Sequence, residues 1–212
     1  MKKILKFFLK GLLFIAGFAV AAWIFMPWKQ VGEGALLWGS ARLQAPSSLT
    51  YSTVKGTSGG FVIEDLKAMR VNGLADITFR TLSVRPSLLA TLANMAPTCR
   101  ISFTGNAIGE IAVTPLKKIP GIAVGNGRFS VSAGRKEILL DDLRSDGDLA
   151  MNGALLLDLA AERPIRWADV ALNVKSEAFE KELPALQNFL PLQQEAPGRW
   201  YLRRAMGGGD GQ

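Results

Sequence analysis

The sequence contains no histidine and only one cysteine, Cys99. Without histidine there is no Ser-His-Asp triad, no histidine general base and no histidine-bearing zinc site. A single cysteine excludes an intramolecular disulfide and a cysteine-rich metal site, and it fits a domain outside the cytoplasm that does not rely on disulfides. We interpret Cys99 as a small buried residue beside a strand, with an intermolecular disulfide as the minor alternative.

Signals for phosphate or metal binding are also missing. The glycine-rich stretches 56–60 and 207–209 lack the strand and lysine of a phosphate-binding loop. The densest acidic cluster, residues 141–148, lacks the distal glutamate of a calcium loop, so we interpret it as a solvated turn. A Ser-Lys hydrolase has no positive support. The sequence therefore predicts no enzyme activity, no cofactor and no metal site.

The charge is concentrated at the amino terminus. The net charge is +7, but residues 1–29 hold five of the 25 basic residues and none of the 18 acidic ones. The remaining 20 basic and 18 acidic residues nearly balance. This distribution predicts no nucleic-acid partner, because the excess charge belongs to a short segment.

A long apolar run follows these first basic residues. Gly11–Trp28 has 18 residues and no charge, and as a helix it would span about 27 Å, close to the thickness of a bilayer core. We predict a transmembrane anchor. Its expected membrane-facing residues are Leu12, Leu13, Phe14, Ile15, Phe18, Val20, Trp23, Ile24, Phe25 and Trp28. The residues expected to hold the amino terminus in the cytoplasm are Lys2, Lys3, Lys6 and Lys10.

A cleaved signal peptide is the alternative interpretation of the same run. The small residues Ala19-Val20-Ala21 would then form the cleavage site. Apolar residues continue without a break to Met26, which favours an uncleaved anchor. Both interpretations place residues 30–212 outside the cytoplasm.

Periodicity divides the rest of the chain. We expect residues 1–10 to form a cytoplasmic basic segment and residues 11–28 the anchor. Residues 29–48 should form a juxtamembrane amphipathic helix with its linker. Residues 49–204 should form a periplasmic β domain and residues 205–212 a disordered tail. From Leu49 onwards the apolar pattern is mainly period two, typical of strands. The predicted fold is mainly β: an N-terminal transmembrane helix followed by a curled antiparallel sheet or open half-barrel, with two or three short packed helices.

Several local features refine this fold. Leucine spacing predicts helical segments at Pro86–Met95 and Ser176–Leu190, the second either kinked at Pro184 or divided into two short helices. The apolar parity changes between Phe79 and Leu82, which predicts a bulge near Arg80-Thr81.

Short sequence stretches resemble a known family. They are EGALLWGSARL, YSTVKGTSGGFVIEDLKA, DITFRTLSVRPSLLATLA, the expected hairpin FTGNAIGEIAV and the closing GRWYLRR. In this order, after an anchor, they resemble protein N of the bacterial type II secretion system (GspN-like), which is similar to AsmA-like periplasmic β proteins. The resemblance implies a non-enzymatic accessory component of the inner membrane. Its implied partners are the membrane and other inner-membrane secretion subunits.

Such a component would bind partners through strand edges or grooves. Turn and charge placement suggest two edges. The first surrounds an expected hairpin turn at Gly105 and Asn106, with Gly109 nearby, and the second carries Arg199, Trp200 and Arg203.

Two alternatives remain open at this stage. A lipid-binding or transfer module of the AsmA-like or LptC-like type would have an apolar trough, and lipid would then be the partner. A filled core would favour a protein adaptor. A structural envelope protein is the third and least specific class.

The predicted anchor leads to a direct test by fractionation. The chain should remain in the bacterial membrane fraction after alkaline carbonate washing, since an uncharged 18-residue run is long enough to span the bilayer. Replacing Phe18 and Ile24 by aspartate should release it, because each carboxylate would cost about 2.5–3.5 kcal/mol near the bilayer centre. Wild-type chain in the soluble fraction would contradict the prediction.

Overall fold

A computed structural model of the protein describes residues 14, 17, 18, 20–42, 47–71, 75–114, 117–158, 165–187 and 190–204. The helices are α1 (Trp28–Arg42), α2 (Leu88–Asn94), α3 (Glu177–Glu180) and α4 (Leu183–Leu186), and residues 20–24 are also helical. The strands are β1 (Ser48–Thr50), β2 (Thr53–Thr57), β3 (Gly60–Val71), β4 (Ala75–Pro86), β5 (Thr98–Ile108), β6 (Ile111–Thr114), β7 (Lys117–Ile119), β8 (Ile122–Ala133), β9 (Glu137–Ser145), β10 (Leu149–Asp158), β11 (Ile165–Val174), β12 (Leu192–Ala196) and β13 (Arg199–Arg204).

Eleven of these strands form one sheet. Its order is β1-β3-β4-β5-β8-β9-β10-β11-β13-β12, with β2 also paired to β3. Every pairing is antiparallel, and β6 and β7 form a separate hairpin. The prediction of a mainly β protein with an open antiparallel sheet and a few short helices is confirmed.

The predicted transmembrane helix is not found in the described part of the chain. There, no helix combines the length and the apolar character needed to cross a membrane. Of the predicted anchor, residues 11–13, 15, 16 and 19 lie outside the described residues.

The short helices begin where the sequence supplies caps. The Ser87 hydroxyl accepts a hydrogen bond from the Ala90 N–H (3.3 Å), and the Ser176 hydroxyl accepts one from the Phe179 N–H (3.4 Å). Each satisfies an amide that the first helical turn leaves without a partner. Pro184 lies in the first turn of a second short helix, so the segment is divided into two helices. The helical segments predicted from leucine spacing are confirmed with shorter bounds.

Buried residues form two apolar clusters on the sheet. The cluster under α1 contains Trp28, Leu36, Val54, Phe61, Ile63 and Leu66. The cluster under α3, α4 and the β6–β7 hairpin contains Phe103, Ile119, Ile122, Val124, Leu149, Val174, Phe179, Leu183, Leu192 and Trp200. Phe79 and Leu82 of β4 pack against both clusters, and the rings of Phe79 and Phe103 meet edge-on at 5.9 Å. The two clusters are therefore continuous through β4.

Phe79 and Leu82 face the same core although they lie three residues apart. The register of β4 does not shift at the position of the predicted bulge, but its pairing skips Arg80 on both sides, so the strand is interrupted at the predicted location without an inserted residue. The irregularity lies on the flanking strands, where Asp65 of β3 (φ 53°) and Gly105 of β5 (φ 59°) adopt the left-handed conformation. These two residues are positioned beside Arg80, as the pairing on both sides shows.

The irregularity continues across the sheet. Gly125 of β8 (φ 76°) and Asp142 of β9 (φ 50°) are also left-handed, and the register shifts between β5 and β8, between β8 and β9, and between β9 and β10. We call this oblique line of Asp65, Gly105, Gly125 and Asp142 the bulge row. Bulges bend strands and increase their twist, so we infer that the sheet bends along this row.

Gly105 provides a test of the bulge row. Gly105→Ala should lower the free energy of unfolding by about 1–2 kcal/mol, because a Cβ is strained in the left-handed region. The added Cβ would also lie 2.9 Å from the Arg80 Cβ. Urea denaturation followed by tryptophan fluorescence measures the change.

Gly34→Ala on α1 is the matched control. An added Cβ at Gly34 meets no atom within 4 Å, so higher helix propensity should raise the stability by up to about 1 kcal/mol. Equal effects of the two substitutions would show that the left-handed position of Gly105 carries no strain.

Candidate interaction surfaces

The described side chains form no recognised reactive centre. Within the described ranges, no three acidic or cysteine side chains are grouped to hold a metal ion. The Cys99 thiol is free and half-buried, and burial raises its pKa above the usual value, so little thiolate is present at neutral pH. In the acidic cluster at residues 141–148, the Asp142 carboxylate forms ion pairs with two arginines. It lies 3.2 Å from Arg128 Nε and 2.9 Å from Arg144 Nε.

The predicted anchor residues divide into two groups. Phe14, Phe18, Val20, Ile24 and Phe25 are 55–83% exposed. The predicted residues outside the described part of the chain are Leu12, Leu13, Ile15, Lys2, Lys3, Lys6 and Lys10.

Trp23 and Trp28 lie where the apolar N-terminal stretch meets the sheet. Trp28 is only 5% exposed, and its indole N–H donates to the Trp23 carbonyl oxygen at 3.2 Å. The two rings meet edge-on with centroids 4.8 Å apart. An added Cβ at Gly59, in the β2–β3 turn, would lie 3.1 Å from the Trp23 indole nitrogen. Trp28, expected to be a membrane-facing residue of the anchor, is therefore a core residue, and the apolar stretch leaves the domain beside Trp23.

The first predicted partner edge is wrong. Gly105 and Asn106 lie within β5, which is paired with β4 on one side and β8 on the other. The expected hairpin turn at these residues is also wrong, because the strand continues to Ile108. Gly109 follows the strand, and its N–H donates to the Asp76 carbonyl at 2.7 Å. All three residues are therefore inside the sheet or bonded to it.

The second predicted edge, β13, is not the outermost strand of the sheet, because β12 lies outside it. β13 lies between β11 and β12, and its Trp200 is 2% exposed within the core. Arg199 and Arg203 are exposed, and the Arg203 guanidinium lies 4.3 Å from the centre of the Tyr201 ring. Because side chains alternate along a strand, these three residues share the face opposite Trp200. We call this face, which points away from the core, the outer face.

The free edge on this side of the sheet is β12. Among the described strands it pairs only with β13, so none of them lies along the other side of its backbone. Gln193, Gln194 and Glu195 are exposed along it. Sequence reasoning missed this strand because LQQEA, between Pro191 and Pro197, has few residues that favour strands.

A shallow hollow of about 330 Å³ lies next to this edge, across β10, β11 and β13. The small side chains of Ala150 and Ala171 leave space in this hollow. Residues lining it include Ala150, Asn152, Ala171, Asn173, Arg199 and Tyr201. We call this region the C-terminal edge surface. It consists of the free backbone edge of β12, the hollow, and Arg199 and Arg203 of β13.

The Glu180 carboxylate of α3 holds the β12–β13 hairpin in place through hydrogen bonds. Its Oε1 accepts hydrogen bonds from the Gly198 N–H (2.5 Å), Gln194 Nε2 (3.2 Å) and the Trp200 indole N–H (3.4 Å). The three donors come from the turn, from β12 and from β13, so one carboxylate holds the whole hairpin.

The fold and these surfaces place the chain among mainly β proteins with an open antiparallel sheet. A family model described as "Type II secretion system protein GspN-like, Synergistales" matches residues 5–204. The chain therefore belongs to this family, which confirms the resemblance seen in the sequence. Membership suggests association with a membrane and with other secretion components. No curated protein and no solved structure matches the chain.

Glu180 generates a testable prediction. Glu180→Ala should lower the free energy of unfolding by about 1–3 kcal/mol, because the buried Trp200 indole N–H loses its acceptor. Hydrogen exchange should quicken at residues 192–198 before the rest of the sheet.

Glu177→Ala is the control, since Glu177 is an exposed residue of the same helix. It should change stability by less than about 0.5 kcal/mol and leave exchange in the hairpin unchanged. Uniformly faster exchange throughout the sheet of Glu180→Ala would contradict a local fastening role.

Proposed function

We propose that the protein is a non-enzymatic accessory component of the type II secretion system, anchored in the inner membrane by the apolar run that precedes Trp23. The sheet would lie in the periplasm and serve as a platform for other inner-membrane secretion subunits. The observation that carries this proposal is the family match over residues 5–204, which includes the apolar run and the whole sheet.

The C-terminal edge surface is the partner site that we assign. An unpaired strand can accept a further strand through its backbone N–H and C=O groups. β12 offers such a backbone, and the hollow beside it gives room for partner side chains. Arg199 is exposed at its rim, where it favours a partner segment that carries carboxylates.

The packed interior favours a platform over a lipid-transfer module. Ile119 is 0%, Val124 1% and Trp200 2% exposed. The Phe103 ring also lies 6.2 Å from the Phe129 ring, measured between centroids. These side chains fill the space that an acyl chain would need in a trough.

The test is recovery of secretion subunits with the tagged full chain from detergent-solubilised membranes. The wild-type chain should recover them. Gln193→Lys combined with Glu195→Lys should reduce recovery about tenfold, since lysines along an edge oppose strand addition, and a tenfold loss corresponds to about 1.4 kcal/mol.

Glu177→Lys is the matched control, because it adds a lysine at an exposed site on α3, outside strand β12. It should recover subunits as the wild type does. No recovery by the wild type, or bound lipid in place of subunits by mass spectrometry, would overturn the proposed function. Normal recovery by the Gln193→Lys, Glu195→Lys chain would overturn only the assignment of the edge.

A further inference from the structure

Several turns meet at one end of the sheet. The β2–β3 turn, helix α2 between β4 and β5, and the β8–β9 turn all lie there, as the pairings Phe61↔Val84, Pro86↔Cys99 and Ala133↔Ile138 show. We call this the proximal end, and the other, which contains Met69 of β3, the distal end.

Helix α2 exposes an apolar surface at the proximal end. Leu88, Leu89, Leu92 and Met95 are 45%, 83%, 75% and 95% exposed, and the helix LLATLAN carries no charge. Its position is nevertheless fixed. The Asn94 side-chain amide donates to the hydroxyls of Thr98 (3.4 Å) and Ser132 (3.3 Å), and the Thr98 N–H donates to the Thr91 hydroxyl (3.0 Å).

Strands β9 and β10 are also unusual at this end. A sheet with one solvated face should alternate apolar and polar residues, but here three consecutive apolar residues occur on each strand. The paired residues are Leu155↔Leu140, Leu156↔Leu139 and Leu157↔Ile138, and Trp167 of β11 is opposite Leu156. Both faces of the sheet are therefore apolar at the proximal end.

Cations surround these apolar residues. Arg85, Arg100, Arg135 and Lys136 are exposed at the proximal end, and they take no part in the ion pairs among the described residues. The carboxylate of Glu137 is already paired with Arg166. The end thus combines exposed leucines with a basic rim.

The N-terminal apolar stretch reaches the sheet at this same end. Trp23 lies beside Gly59 in the β2–β3 turn, and Phe18, Ile24 and Phe25 near it are exposed. If the apolar run that precedes Trp23 enters the bilayer, the proximal end is the part of the sheet held closest to the lipid.

We propose that the proximal end rests on an anionic lipid surface. Leu89, Leu92 and Met95 of α2 enter the boundary between headgroups and acyl chains, and Arg135 and Lys136 contact lipid phosphates. Apolar burial combined with attraction of basic residues to anionic lipids is the usual basis of interfacial binding. The inference rests on the membrane anchoring in the proposed function and adds the orientation of the sheet.

The test uses an environment-sensitive fluorophore on the full chain. In a Cys99→Ser background, Leu92→Cys carries the label, and the chain is reconstituted into vesicles of phosphatidylglycerol and phosphatidylcholine. We expect a blue-shifted emission and loss of most of it when the lipids carry a spin-label quencher. Arg135→Glu combined with Lys136→Glu should diminish the quenching, since each reversed cation loses its attraction to the anionic headgroups.

Met69→Cys in the same background is the matched control. Met69 is also an exposed apolar residue, but it lies eight positions along β3 from Phe61, about 26 Å towards the distal end. Its label should show neither the shift nor the quenching.

Two results would overturn the proposal. One is equal quenching at the two labelled positions. The other is a Leu92→Cys label whose emission does not shift in vesicles and which becomes protected from solvent only when a secretion subunit is added. That result would identify a protein-binding surface. Hydrogen exchange of the wild-type chain serves as a second measurement if the labelled variants misfold, with residues 88–95 expected to slow only on anionic vesicles. Because neither readout involves partner recovery, failure here leaves the secretion function standing.

Discussion

The structure depends on one constraint, which is that β4 must turn both Phe79 and Leu82 to the core although they lie three residues apart. A regular strand could not do so, since these two side chains would point to opposite faces. The pairing of β4 skips Arg80, which lies between them, and the residues beside it on the flanking strands, Asp65 and Gly105, are left-handed. The alternation of β4 is therefore interrupted at Arg80, while its register with both neighbours is the same before and after that residue.

Strands β9 and β10 differ on the two sides of the bulge row. On the distal side, the cluster under α3 and α4 is closed by the β6–β7 hairpin, and Ile119 is fully buried. On the proximal side, α2 buries none of its own residues, and β9 and β10 lose the alternation that marks a solvated face. Strands β9 and β10 thus pass from the packed core at the distal end to half-buried apolar residues on both faces at the proximal end.

Local periodicity predicted much of this fold because strands and helices differ in spacing within a few residues. The leucine spacing at Pro86–Met95 and Ser176–Leu190 was sufficient to identify these helical segments. Gly105-Asn106 misled the prediction, because a residue with positive φ is typical of a turn, yet here it serves a bulge within a continuous strand. The local sequence does not distinguish a glycine in a turn from a glycine in a bulge, since the outcome depends on which strand pairs with this segment.

Edges were harder to predict for the same reason. Strand order is set by long-range pairing, and β13 inserts between β11 and β12 although β12 precedes it in the sequence. The charged pattern around Trp200 therefore resembled an exposed edge, whereas the indole is held inside by Glu180. A partner surface here must consist of the alternate residues, Arg199 and Arg203, and of the backbone of β12.

The two proposed contacts lie on different parts of the molecule and so can operate together. Strand β11 runs from Ile165 at the proximal end to Val174, which pairs with Leu149 at the distal end. The C-terminal edge surface borders this strand, away from α2. A sheet seated on lipid through α2 would leave β12 free along the outer border of the sheet, where a subunit anchored in the same membrane can reach it. Lipid contact would then fix the direction in which the edge is presented, and this reduces the orientational freedom that a partner must remove on binding.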